Sequence, residues 1–198
     1  PGRLDWHSQG RMIDTGLAPT SGDPTMAIPL YDVSVASFLQ VLGGVAGFLG
    51  KGLAHCQANH VDLKELVETR LHPDMLPLRF QVLSVVHHSK GAIEGVQAGV
   101  FKPPSGPMNQ DFSELQKLVA DARDALQKLS RDAVDALQGK DVTFQMGDFK
   151  MPFTAEGFLM SFSLPNLHFH ATTAYDILRM KGVPLGKRDY MGALRLKT

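Results

Sequence analysis

The sequence predicts an all-α protein, an antiparallel four-helix bundle with one small β-hairpin between its third and fourth helices. Three observations predict it. Apolar residues recur at helical spacing in four long segments of the 198-residue chain. A proline-rich crossover separates the second segment from the third. Between the third and fourth, the apolar period switches briefly from helical to alternating.

The first helix is expected over residues 33–56. Val35, Phe38, Leu39, Leu42, Val45, Leu49 and Leu53 form one stripe, and Gly43, Gly44 and Gly47 would let a neighbour approach closely. Asp62 opens a short helical piece, "LKELVETRL", ended by the "HPDMLP" turn, where Pro73 and Pro77 bias the residue before each away from helix. Asp74 is expected to cap the second helix, residues 76–98, which carries Leu78, Val82, Val85, Ala92 and Val96 on one side. The stretch "GVFKPPSGPMNQ" is expected to be loop.

Asp111 followed by Glu114 is a capping-box start for the third helix, which runs to about Leu129 with a charged, solvated outer face. In "VTFQMGDFKMPF", Val142, Phe144 and Met146 alternate, as do Phe149, Met151 and Phe153, with Gly147-Asp148 between them as a hairpin turn. Thr154 can cap the fourth helix, Gly182 can end it, and Pro165 inside it predicts a kink or an interrupted first turn.

Composition bounds the rest. Twenty basic and twenty acidic residues cancel, so no electrostatic footprint for nucleic acid or anionic lipid is present. "VSVASFLQVLGGVAGFLG", residues 33–50, only reaches the lower length limit of a membrane span, is broken by Gln40 and glycines, and reads as a buried helix. Cys56 is the single cysteine, which excludes an internal disulfide or CxxC metal site and fits a reducing, cytoplasmic compartment. Residues 1–25 lack apolar periodicity and read as a disordered extension, vector-derived with a native start at Met26 or natural; residues 26–198 form a single domain.

Two histidines in "SLPNLHFHATTAYDILRMKG" carry the site argument. At 100° per residue His168 falls with Ser161, Thr172 and Arg179 on the solvent side. His170 falls with Leu159, Asn166, Ala174 and Ile177 at the middle of the apolar stripe. A histidine and an asparagine there are costly to bury unless hydrogen-bonded or liganded. On the second helix His88 lies at the edge of the apolar face with Gln81, and His87 is turned about 100° away. His55 lies at the rim of the first helix.

The expected site is a pocket with His170 and His88 as its catalytic residues and Asn166, Gln81 and His55 as ligand-binding residues. The competing reading is a structural network that satisfies backbone groups near Pro165. No two histidines share the i, i+4 spacing of a helical chelate, so no metal ligands are assigned and no cofactor is expected. Cys56 reads as packing, and "GKRDYMG", residues 186–192, as a docking segment.

Taken together, "LYDVSVASFLQVL", "RLHPDMLPLRFQV", "SKGA" and "FHATTAYDILRMKGVPLGKRDYMG" resemble the domain-of-unknown-function family numbered nineteen ninety-three, within the DinB/YfiT-like superfamily. The resemblance spans Ala27 to Gly192. It implies a DinB-type four-helix bundle, a homodimer, and, in many relatives, a zinc or nickel ion held by three histidines, some of those relatives being thiol-dependent transferases or isomerases. His170 matches one position of the relatives' histidine pair on the fourth helix, but Ala174 and Asn166 stand one turn to either side, so a complete triad does not carry over.

Three functions follow as expectations. The first is a small-molecule-binding bundle, a metal-independent isomerase or transferase using the His/Asn pocket. The second is a divalent-metal enzyme built on His88 and His170. The third is a non-catalytic dimeric scaffold joined through the glycine face of the first helix.

Overall fold

The computed structural model describes residues 28–197; the segment read as an extension, residues 1–25, and Met26 lie outside the described residues. A single turn, α1 (Leu30–Val33), leads into α2 (Val35–Asn59), whose stripe of Val35, Phe38, Leu42, Val45 and Leu49 is fully buried. Leu39 and Leu53 pack at its border. His60, at φ 54°, ends the helix in the left-handed conformation. Residues 30–59 form the one helical stretch among the described residues long and apolar enough to cross a membrane, its most apolar 18 residues having a mean hydropathy of 1.7. Here that apolar face is covered by other helices of the same chain.

The Asp62 carboxylate caps α3 (Leu63–Glu68) by accepting from the Lys64 N–H at 2.8 Å. Asp74 does not cap the next helix. It pairs with His72 inside the turn, while Pro77, which has no side-chain acceptor to offer, occupies the cap position. The second long helix, α4, is continuous over residues 78–98 but not uniform. Leu78–Val86 and Ala92–Ala98 are α-helical, and His87–Gly91 between them is a π-turn.

The stretch after α4 is not all loop. Val100–Phe101 form a short strand, β1, that pairs in parallel with β2 (Asp141–Met146). Two residues are too few to show an alternating period, so β1 has no signature of its own in the sequence. β2 and β3 (Phe149–Thr154) form the expected antiparallel hairpin, with Gly147 at φ 60° in its turn. The sheet order is β1-β2-β3. Before it come α5 (Phe112–Gln127), opened by a complete Asp111–Glu114 capping box, and a single turn, α6 (Arg131–Asp135), capped by Ser130.

The last long helix, α7, covers residues 155–180. The Thr154 hydroxyl caps it by accepting from Gly157 N–H, and Gly182, at φ 87°, follows its end. Where Pro165 predicts a break, the chain remains helical but widens into a second π-turn, Phe158–Ser163, before Leu164–Met180. Proline has no N–H for the carbonyl four residues back, and a π-turn moves the bonding pattern one residue further along. A final turn, α8 (Lys187–Met191), returns to α2.

The structure is thus mostly helical with a small three-stranded sheet. The helix α4 packs along α7 and α2 along α5, while α5 also touches α4 and α2 touches α7. One contiguous apolar core runs between them and extends under the sheet.

Candidate functional site

The two π-turns face each other across the α4–α7 contact, and the Ser163 hydroxyl joins them by donating to the buried His88 carbonyl at 2.9 Å. π-turns inside long helices recur at functional sites because they re-aim side chains. Here the α4 bulge holds His87 and His88. Their rings stand 5.4 Å apart between centroids, and the His88 ring lies 5.8 Å from that of His170, inclined by only 14°. Three imidazoles therefore meet on the flank of the α4–α7 seam.

The strands close this cluster on one side. Phe101 of β1 packs on His87 at 4.3 Å and on His88 at 5.5 Å. Phe162 of the second π-turn lies 5.8 Å from His88 and 5.0 Å from Phe144 of β2. Phe80 and Phe169 approach His170 edge-on. The sheet is thus the apolar wall against which the histidines sit.

Hydrogen bonds fix two of the three tautomers. The buried Gln81 side chain donates from Nε2 to the Leu76 carbonyl at 2.7 Å, which only an amide N–H can do, so its Oε1 must face His170. His170 therefore carries its proton on Nδ1, donates it to Gln81 Oε1 at 2.8 Å, and keeps a lone pair on Nε2. His87 Nε2 lies 2.8 Å from the Lys102 carbonyl and must be its donor, which leaves the lone pair on Nδ1. His88 has no such partner. The residue is 8% exposed and its Nδ1 is buried without a hydrogen bond.

Burial dominates the protonation of all three. It pushes the His88 pKa down to about 3, helped by the neighbouring His87 and His170, and that of His170 down to about 4, helped by His87. The His87 pKa is also lowered, by burial opposed by the hydrogen bond to Lys102. At neutral pH all three rings are neutral, able to donate and accept hydrogen bonds but poorly matched to hold a proton in reserve.

His170 and Gln81 thus touch directly, and His88 joins them through its ring. The α7 stripe is centred on Leu167, Ala171, Ala174 and Leu178, so His170 sits about 70° to one side and is half-buried rather than central. A wheel anchored on Leu159 misplaces that centre because the π-turn shifts the phase between the two parts of the helix.

Asn166 donates to the Phe162 carbonyl of its own helix at 2.7 Å, as the structural-network reading expects. His55 stands apart, beside Asn59 and against Gly182 beyond the end of α7. His168 is exposed, on the solvent side as expected, and pairs with the Tyr190 hydroxyl at 3.0 Å. The residue the wheel turns away, His87, is the one that the bulge and β1 bring in. The adjacent "HHSKG" is the only signal that marks it.

Beside the cluster lies a cleft of about 470 Å3 between α4 and the segment 102–110. His87 and Phe80 line it, and the cluster reaches it only through these two rings. The segment is tied down at both ends: His87 donates to the Lys102 carbonyl, and the Arg79 guanidinium donates to the Met108 and Gln110 carbonyls.

The divalent-metal expectation rests on His88 and His170, with Asn166, Gln81 or His55 to complete the shell. Among the described residues no group of three or more His, Cys, Asp or Glu side chains is placed to hold an ion. Of the second-choice ligands, Gln81 Oε1 is engaged by His170, Asn166 by Phe162, and His55 lies away from the cluster.

This combination of fold and buried polar seam defines a DinB-like helical protein. A crystal structure of a DinB family member protein from Shewanella denitrificans matches it with a TM-score of 0.73 at 27% identity, covering 85% of this chain and 95% of that one. The chain belongs to the family described as domain of unknown function DUF1993, whose model matches residues 30–191. No curated protein matches the chain.

Proposed function

We propose that this protein, an antiparallel four-helix bundle of DinB type, binds a small organic molecule in the cleft between α4 and the segment 102–110. One observation carries the reading. His87 lines that cleft with its only N–H given to the Lys102 carbonyl, so its Nδ1 lone pair is left as an acceptor for a bound group. A ligand N–H or O–H in the cleft would meet that lone pair directly. The depressed pKa values favour binding and orientation over proton transfer in the ligand-free protein. A metal-independent isomerase or transferase step would need the bound ligand to raise the lowered His87 pKa toward neutrality, His87 being the ring that it meets.

Side-chain nitrogen spectra of 15N-histidine-labelled protein against a panel of neutral, acidic and basic fragments test this. Fragments that bind are expected to move the His87 resonances, and His87→Ala is expected to abolish their uptake while the fold persists. Undiminished uptake by His87→Ala, or no fragment moving any of the three rings, would overturn it.

A homodimer joined through α2 is the second part of the proposal. Gly43 and Gly47 face open space in this chain, which supports it. Sedimentation at micromolar concentration is expected to show a dimer, and a monomer there would remove this part alone.

A further inference from the structure

Building on the cleft reading, we infer that the ligand is a small apolar carboxylic acid with a hydrogen-bond donor close to its carboxylate. The charges along the cleft argue for the acid. Lys90 and Glu94 both line it and neutralise one another, their Nζ and Oε1 atoms 2.5 Å apart. Lys102 lines it too, and among the described residues no carboxylate pairs with it. With His87 neutral, the cleft holds one uncompensated positive charge.

The floor argues for the donor. His87 gives its only N–H to the Lys102 carbonyl, so what it can show a ligand is the Nδ1 lone pair. Gly91 keeps that lone pair uncovered: a Cβ built at position 91 would stand 3.3 Å from Nδ1. The backbone at 91 has an ordinary helical φ of −60°, so glycine is not required there by conformation. The walls argue for the apolar body, since Phe80, Leu83 and Val86 face the prolines of the segment 102–110 across the space. That segment is anchored at both ends, and such a preformed site loses little freedom when a ligand enters.

The test uses three matched probes on the full chain, followed by calorimetry and by the His87 resonances: 3-phenyllactate, 3-phenylpropionate without the hydroxyl, and neutral 3-phenyllactamide. Wild-type protein is expected to prefer phenyllactate to phenylpropionate by about fivefold, the value of one hydrogen bond. Lys102→Met is expected to weaken phenyllactate by about fivefold, as for a partly exposed ion pair, and to leave the amide unchanged. Gly91→Ala, which leaves the helix intact, is expected to erase the preference for the hydroxyl. Equal affinity for acid and amide in the wild type, or no response to Lys102→Met, overturns the inference. If neutral or basic fragments occupy the cleft and the acids do not, the inference fails while the cleft reading stands. If nothing occupies the cleft, both fail.

Discussion

The three imidazoles differ less in chemistry than in what each has been given to bond. His170 is held by Gln81, His87 by a carbonyl, and His88 by nothing at Nδ1. Because the fold pushes the His88 and His170 pKa values down to about 3 and about 4, the folded chain refuses protons that the unfolded chain accepts below its ordinary 6.5. Stability contributed in this way is fully present above about pH 6.5. It falls on acidification toward the folded values, by up to about 1.4 kcal/mol per pH unit for each ring. Urea midpoints are therefore expected to decline between pH 7 and 4, and to decline less steeply in His88→Phe; a flat profile in the wild type would contradict the burial of these rings. Gln81→Leu addresses the tautomer. It leaves both the His170 Nδ1–H and the Leu76 carbonyl without their partner, so a loss of about 2 kcal/mol is expected. The same variant should show mixed His170 tautomers in its ring 15N shifts, which a purely packing role for Gln81 would not produce.

At the scale of elements, the glycines of α2 separate into two kinds that the sequence presents alike. A Cβ at Gly44 would stand 2.4 Å from the Tyr190 carbonyl oxygen, because α8 lies flat on α2 at that point, whereas Gly43 and Gly47 meet nothing within 4 Å. Gly44→Ala is accordingly expected to lift α8 away and lower the melting temperature. Gly47→Ala, measured at dilutions where the proposed α2 dimer is dissociated, should raise the stability of the single chain by about 1 kcal/mol, since its Cβ meets nothing there. Thermal unfolding of the two variants side by side gives opposite signs if this is right. Sequence reasoning foresees the close approach but not which element makes it, since a five-residue turn leaves no periodicity. The same limit hides β1. The helices, the hairpin, the Asp111–Glu114 box and the Thr154 cap were legible because each rests on local spacing or a local hydrogen bond. The π-turns were not, because a single inserted residue changes the phase of a helix without changing its apolar composition, and with that phase went His87 and the central placement of His170.

Across the whole molecule, the last residues tie the first long helix to the last. Lys51 pairs with Asp189 at 2.6 Å, Gln40 donates to the Met191 carbonyl at 3.0 Å, and the Tyr190 hydroxyl meets both His168 and Thr172 of α7. The Tyr190 ring stands 6.0 Å from Tyr175, which in turn packs edge-on against the buried Phe48 at 6.1 Å. An aromatic chain thus runs from the tail through α7 into the core of α2, with the half-buried Tyr175 as its middle link. The ion pair is half-exposed and contributes little by itself. Most of the effect comes from burying the Tyr190 ring and its contact with Tyr175. Ending the chain at Gly186 is therefore expected to cost about 3 kcal/mol, with Tyr175 newly exposed to solvent. Because this seam lies on the α2–α7 side and the imidazole cluster on the α4–α7 side, the truncated protein should still show the Gln81–His170 tautomer signature at low temperature. Urea denaturation and tyrosine fluorescence measure the first effect, and ring 15N shifts the second. Loss of the tautomer signature in a truncated chain that remains folded would mean that the two seams of α7 are coupled rather than independent.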